Sequence, residues 1–239
     1  MSKKIRIYSA AALFSGRETL FNVGLVERLE EKGYQAFLPQ RDGFEFGNLT
    51  ASLKGKVKDK EIGEAVQQII YFLDMGLFIP KSDVVIANLD EPQDEGVIVE
   101  LSYAKLMGKF NIGYRTDVRS PYGNISDPLG GIHFFPAFQC DKFIRHYMPA
   151  KSGLDGKVQM DELAAKIHET IIKRGISPKK VSSYALENPH IKQILDSAKL
   201  LFAGIEDLHS IEGLNEISRR YGENRERLSK VYPTIDRGR

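Results

Sequence analysis

The chain reads as a doubly wound α/β protein of the flavodoxin/Rossmann-like kind. It should have a mostly parallel sheet of about five strands with flanking helices, then a helical C-terminal extension. Three observations predict this. Short apolar runs alternate with amphipathic helical stretches from the first residues, the order of βαβ units. Val84-Val85-Ile86-Ala87-Asn88-Leu89 is apolar on both faces, as a central parallel strand should be. Its carboxyl end opens into Asp90, Glu91, Asp94 and Glu95, and open α/β sheets bind ligands at that edge.

The bulk properties fit one large domain, or a domain plus an appendage, in 239 residues. Apolar residues make up 42% and charged residues 28%, enough for a sizeable core. A net charge of +2 is too small to argue for a nucleic-acid polymer or an anionic membrane. The single cysteine, Cys140, rules out an intrachain disulfide and has no activating neighbour in sequence, so it reads as an inert thiol. The apolar stretch after Met1-Ser2-Lys3-Lys4 is too short for a signal peptide. No apolar run approaches the roughly 20 residues of a membrane helix. The expectation is a soluble, cytoplasmic protein.

Taken in order, Lys4 to Ser9 form a first strand and Ala10, Ala11 and Ala12 a tight exit. A helix follows to about Lys32, with Ser15 as N-cap and Glu18 at the capping-box position. Gly33 closes it, and Tyr34 to Pro39 make the second strand. Residues 40 to 60 read as a long irregular loop, usually a sign of function or mobility. A helix from about Asp59 to Met75 carries Asp74 at its C-terminal end, where the helix dipole disfavours a negative charge. After the central strand comes the helix bearing Glu100, then a fourth strand, Phe110 to Tyr114, ending in Arg115-Thr116-Asp117-Val118-Arg119. A Gly/Pro-rich loop with aromatics spans 120 to 140, with a short fifth strand near Ala137 to Gln139. Met160 to Arg174 is an amphipathic helix. Gly175-Ile176-Ser177-Pro178 marks a boundary, dividing residues 1–175 from a helical extension over 176–239. In the extension, one stripe runs from Ile191 to Ile205, and a helix capped by Ser210 runs to about Lys230. Pro233 to Arg239 look frayed.

Glu100 stands out chemically. It sits among Val97, Ile98, Val99, Leu101 and Ala104, on the helix that follows the central strand. A glutamate on a helix is ordinarily solvated. Its apolar setting and position at the ligand edge balance that reading, and a carboxylate so placed can attack an anomeric carbon. Asp94 reads first as a helix cap and second as an acceptor for substrate hydroxyls. Asp90 carries the same ambiguity, while Asp83 begins the strand at the wrong edge and reads as a turn residue. Tyr8, near the end of strand one, is either packing or a phenol that orients Glu100. The five histidines are scattered without metal-ligand spacing, so no metal is expected. No Walker motif and no strand-linked G-x-G-x-x-G is present, so no nucleotide cofactor is expected.

Several segments together carry a resemblance. They are Ile7-Tyr8-Ser9-Ala10, Leu13-Phe14-Ser15, Phe21-Asn22, Phe37-Leu38-Pro39-Gln40-Arg41-Asp42-Gly43, Asp83 to Asp90, Asp94-Glu95-Gly96, Glu100-Leu101-Ser102-Tyr103-Ala104 and Arg115-Thr116-Asp117-Val118-Arg119. In this order they resemble the nucleoside 2-deoxyribosyltransferase family over about residues 4 to 120. The resemblance implies transfer of 2-deoxyribose between free nucleobases by a retaining double displacement. It makes Glu100 the nucleophile, Tyr8 the residue that orients it, Asp94 a ligand of a sugar hydroxyl and Asp74 the acid that protonates the leaving base. Asp90, Ala10, Phe14, Gly96 and Asn124 are the further substrate-binding candidates it suggests. It also implies a homo-oligomer, dimer or larger. The chain departs from the family pattern at Ala11-Ala12, where Gly-Pro is common, and at Val97, where Thr is common. Two other readings stand beside transfer. One is an N-glycosidase acting on nucleosides or their 5′-monophosphates, with Ser15, Gly16 and Arg17 holding phosphate at a helix N-terminus. The other is a nucleotide-binding module without catalysis.

Overall fold

The computed structural model describes residues 4–124, 126–178 and 180–231. The expected frayed end, Pro233 to Arg239, lies outside the described residues. The chain divides into two compact units. One comprises Met1–Asp42 and Ile79–Tyr184, the other Gly43–Phe78 and Ala185–Arg239.

The first unit holds a five-stranded sheet: β1 (Arg6–Ala10), β2 (Gln35–Phe37), β3 (Val84–Asn88), β4 (Phe110–Arg115) and β5 (Lys142–Arg145). Their order across the sheet is β2-β1-β3-β4-β5, and every pair is parallel. The fold is a doubly wound α/β fold. The order turns back between β1 and β3, and a crevice opens outside the carboxyl ends of strands at such a reversal. In register, Tyr8 lies beside Val85 and Ala10 beside Ala87. Ile7, Val84, Ile86, Ile112 and Ile144 pack on one face against Leu25, Leu29, Leu163 and Ile167 of the helices Gly16–Glu31 and Gly153–Arg174. Side chains alternate along a strand, so Tyr8 faces the opposite side from Ile7.

The helix Gly16–Glu31 starts with the expected capping box between Ser15 and Glu18. Two elements differ from expectation. The segment Phe134–Gln139 is a helix capped by His133, not a strand. The fifth strand follows it at Lys142–Arg145. A run of aromatics has strand propensity, but the His133 cap, whose Nδ1 accepts the Phe135 N–H, favours helix. Residues 40 to 60 are largely helical: Pro39–Asp42, Phe46–Leu53 with Glu45 as N-cap, and the turn Asp59–Glu61. Asp83, expected in a turn, is fully buried and accepts hydrogen bonds from Arg6 N, Nε and Nη2 at 2.9, 3.2 and 3.1 Å.

In the second unit the helices Phe46–Leu53, Ile62–Leu73, Pro189–Phe202 and Ile211–Glu223 assemble from two distant stretches of chain. Segment 43–78, read from sequence as part of the first domain, groups with the C-terminal helices. Gln68 Oε1 accepts from Tyr221 Oη at 2.7 Å, and Ser52 and Ser218 share a hydrogen bond of 2.6 Å. The helix expected to stop near Met75 continues through a π-helical turn, Asp74–Phe78, into Ile79–Lys81. The run Asp59–Lys81 is thereby long and apolar enough, by length and composition, to cross a membrane, though 56% of its apolar window is buried in the protein.

Candidate active site

Three pieces of chain build the carboxyl edge at the β1–β3 reversal. They are the end of β1 with the start of helix Gly16–Glu31, the loop Leu89 to Asp94, and the helix Glu95–Leu106. That helix begins where Asp94 Oδ1 accepts the Val97 N–H at 2.9 Å. Gly96 lets the cap close, because a Cβ there would meet Asp94 Oδ1 at 2.9 Å. Asp94 is therefore a cap, and it also lines the cleft at this edge.

Tyr8 is fully buried, and its Oη donates to Glu100 Oε1 at 2.7 Å. Ninety-two positions separate the two residues in sequence. β1 and the helix after β3 bring them together, because Tyr8 points to the face that Ile7 does not. The phenol fixes one carboxylate oxygen of a half-buried glutamate, an arrangement that orients an anion without neutralising it.

Asp90 does something else. Its Oδ1 accepts the Thr116 N–H at 2.5 Å and its Oδ2 the Thr116 hydroxyl at 2.6 Å, while the Asp117 N–H also reaches Oδ1 at 3.1 Å. The residue latches the end of β3 to the end of β4. Asp117 continues the network, receiving Arg115 Nε at 2.7 Å and the Glu91 N–H at 2.9 Å. The sequence put Glu91 at the carboxyl end of the central strand without a role, and gave Arg115 to Arg119 none. Their position at the carboxyl ends of adjacent strands was the available signal. Glu91 Oε1 and Arg115 Nη1 are enclosed with no hydrogen-bond partner among the described residues.

A cleft of about 270 Å³ opens here, with walls from Ser15, Glu18, Asn88, Asp90, Asp94 and Arg119 among others. Tyr8 and Glu100 are not among its walls. Glu100 lies on the same helix, just under two turns beyond Asp94 at about 3.6 residues per turn. A larger hollow of about 710 Å³ lies between β5 and helix Gly153–Arg174. It contains none of the sequence-predicted site residues, and we place the site at the smaller cleft because the acids and the reversal point coincide there.

The remaining candidates fall as follows. Ala10 is fully buried in β1, and Phe14 is 82% exposed. Asn124 is exposed, and its Oδ1 accepts from Ser126 N at 3.0 Å and Ser126 Oγ at 2.9 Å within its own turn. Asp74 belongs to the second unit, at the first residue of the π-helical turn. The residue is half-buried, but its Oδ1 is enclosed with no hydrogen-bond partner among the described residues. Burial pushes its carboxyl from an ordinary 3.8 up to about 7. Burial also pushes the Cys140 thiol up to about 11, which holds it in the unreactive form. Among the described residues, no three His, Cys, Asp or Glu side chains gather as a metal site.

An α/β fold with an oriented carboxylate on the helix after its central strand, beside an acid-lined cleft, defines a class of proteins that handle small polar ligands at the sheet edge. The sequence profile described as nucleoside 2-deoxyribosyltransferase matches residues 7–170, and the chain belongs to that family. Its activity is accordingly deoxyribosyltransferase-like, that of a glycosyl-handling enzyme acting on nucleosides. No curated protein matches the chain. Among solved structures it is similar to a conserved protein from Enterococcus faecalis V583, at 20% identity and a TM-score of 0.39, covering 72% of this chain and 99% of that one. It is also similar to the sugar isomerase domain of an RpiR transcription factor from Sphaerobacter thermophilus, at 14% identity and a TM-score of 0.35, covering 72% and 74%.

Proposed function

We propose that the protein moves the 2-deoxyribosyl group from one nucleobase to another, with Glu100 as the covalent nucleophile. The observation that carries this is the 2.7 Å hydrogen bond from Tyr8 to Glu100. It fixes one carboxylate oxygen at a ligand edge, as a nucleophile must be fixed to attack one face of a sugar. In the first step a Glu100 oxygen bonds the anomeric carbon and the carbon–nitrogen bond breaks. Its electron pair leaves with the base, which takes up a proton. In the second step a ring nitrogen of the incoming base attacks the same carbon from the other side and loses its proton. The ester opens and the carboxylate is restored. Two inversions give retention. Asp94, lining the cleft, is the acceptor for a sugar hydroxyl.

The test is base exchange. Incubation with deoxyinosine and adenine should yield deoxyadenosine and hypoxanthine, and deoxyinosine alone should stay intact. Release of hypoxanthine without an acceptor base would instead make water the second nucleophile and the protein a hydrolase.

A further inference from the structure

We propose that the hollow of about 710 Å³ between β5 and helix Gly153–Arg174 is a second ligand site, and that it takes a chain of phosphates. The proposal does not depend on the transferase reading, since this hollow and the acid-lined cleft share no wall residue. The whole chain carries a net charge of only +2, yet five cations and two acids wall this one hollow. Both acids are already engaged. Asp141 Oδ1 accepts from Lys105 Nζ at 2.5 Å and its Oδ2 from the Asn111 N–H at 2.9 Å. Glu169 pairs with Lys173 at 3.4 Å. Lys142, Arg145, Lys166 and Arg174 are left without an acidic partner among the described residues.

Local rules explain some of these cations singly. A lysine on an edge strand guards against stray pairing, which covers Lys142. A cation suits the C-terminal end of a helix, which covers Arg174. Neither rule explains Lys166, more than two turns before that end at about 3.6 residues per turn. Nor do they explain why all four converge on one hollow. Like charges around a common space repel one another, and a concave wall of one sign focuses its field on an incoming counter-ion. Lys166 is also held in place. Its Nζ donates to Nδ1 of the buried His146 at 2.8 Å, and His146 Nε2 donates to the Gln159 carbonyl oxygen at 2.8 Å. An ammonium has three N–H groups, so two remain for a ligand. A single phosphate, at about −1.5 to −2, leaves about half of the four charges unmet. A chain of phosphates meets them all, and each guanidinium can grip a phosphate through two N–H bonds. The volume is that of a small-molecule site. Phe110, Phe143 and Ile144 add an apolar wall, with Arg174 over the Phe110 ring at 6.0 Å. A ring carried on the phosphate chain has a surface to lie against.

Calorimetry on the full chain in metal-free buffer tests this, with inorganic phosphate, inorganic triphosphate and adenosine triphosphate as titrants. Inorganic triphosphate should bind at least about tenfold more tightly than phosphate. Lys166→Gln and Arg174→Gln should each weaken triphosphate binding by about tenfold or more. Because Lys166 also supports His146, the exposed Arg174 keeps the test decisive if Lys166→Gln fails to fold. Lys192→Gln removes an equal charge from an exposed position outside the hollow, and should change binding by less than about twofold. Tighter binding of adenosine triphosphate, lost in the same two variants, would assign the apolar wall to its ring. Equal binding of the two triphosphates would make the phosphate chain the whole ligand, with the site intact. Triphosphate binding no tighter than that of phosphate overturns the proposal, and so does an equal loss in Lys192→Gln and the two hollow variants. Base exchange by the unaltered chain is a separate readout, so either reading can fail without the other.

Discussion

At the residue scale the chemistry rests on few atoms, and each can be removed singly. Glu100→Gln keeps the volume and an acceptor for Tyr8 but loses the nucleophile. Base exchange should drop to background, and the mass increase of one deoxyribosyl group, seen on wild type with donor alone, should vanish. Exchange at the normal rate in Glu100→Gln would sink the assignment. Tyr8→Phe leaves the ring packed and deletes one hydrogen bond to a charged group, worth about 1.5–3 kcal/mol. The exchange rate should fall about 10- to 100-fold, and the melting temperature should fall by roughly 3–12 °C, the loss that deleting such a bond implies for a chain of this size. A larger loss of stability than of rate would make Tyr8 a packing residue only. The pair itself was half legible in sequence. The apolar surroundings of Glu100 marked it, but its link to Tyr8 is a contact between distant segments that no local pattern encodes.

Asp74 makes a prediction with a sign. Its folded pKa of about 7 lies above its ordinary 3.8, so the stability it contributes is fully present below 3.8 and is lost as pH rises through about 7. Asp74→Asn should flatten the stability profile across about pH 4 to 7, as read by melting temperature against pH. A melting profile with the same slope in both proteins would show that burial does not hold the proton there.

At the element scale, the strands with two apolar faces were plain to read and the mixed segments were not. β3 and β4 are buried almost along their length, and burial on both faces replaces alternation with a short continuous apolar run, which its length and, in β3, its β-branched residues mark as strand. β5 has four residues, Lys-Phe-Ile-Arg, with exposed charges at both ends, and so lacks the apolar run by which a strand is recognised. The helix before it drew attention away, because Phe134, Phe135 and Phe138 look strand-like until His133 is seen as a cap. The π-helical turn Asp74–Phe78 was equally hidden, since its signal is a register change within a helix. Its tight spot is Gly76, where an added Cβ would lie 2.4 Å from Ala198 Cβ and 3.0 Å from the Ile194 carbonyl oxygen. Gly76→Ala should therefore cost about 1–3 kcal/mol through overpacking, despite alanine's better helix propensity. Urea denaturation would show it as a lower midpoint. An unchanged or raised midpoint would mean that helix Pro189–Phe202 shifts at no cost.

At the scale of the whole molecule, the sequence suggested an α/β domain up to residue 175 with a helical appendage behind it. Periodicity can mark each C-terminal helix, but it cannot say what that helix covers. The second unit is built from Gly43–Phe78 together with Ala185–Arg239, and its joints cross that gap in sequence. Tyr221 bonds Gln68, Ser218 bonds Ser52, and Arg225 pairs with Glu61 at 2.9 Å. Leu49, Leu53, Ile69 and Phe72 from the first stretch and Ile194, Leu201 and Ile217 from the second are all fully buried. An appendage would be dispensable, but half of a shared core is not. Ending the chain after Tyr184 strips partners from Gln68 and Ser52, whose neighbours are then uncovered rather than merely trimmed, and burial of each large apolar side chain is worth about 1.5–3 kcal/mol. The shortened protein should therefore bind a hydrophobic dye, aggregate at concentrations the full chain tolerates, and lose helix beyond the residues removed, by far-ultraviolet circular dichroism. A soluble, dye-silent fragment that keeps the helicity of residues 43–78 would show instead that the C-terminal helices only decorate a unit stable without them.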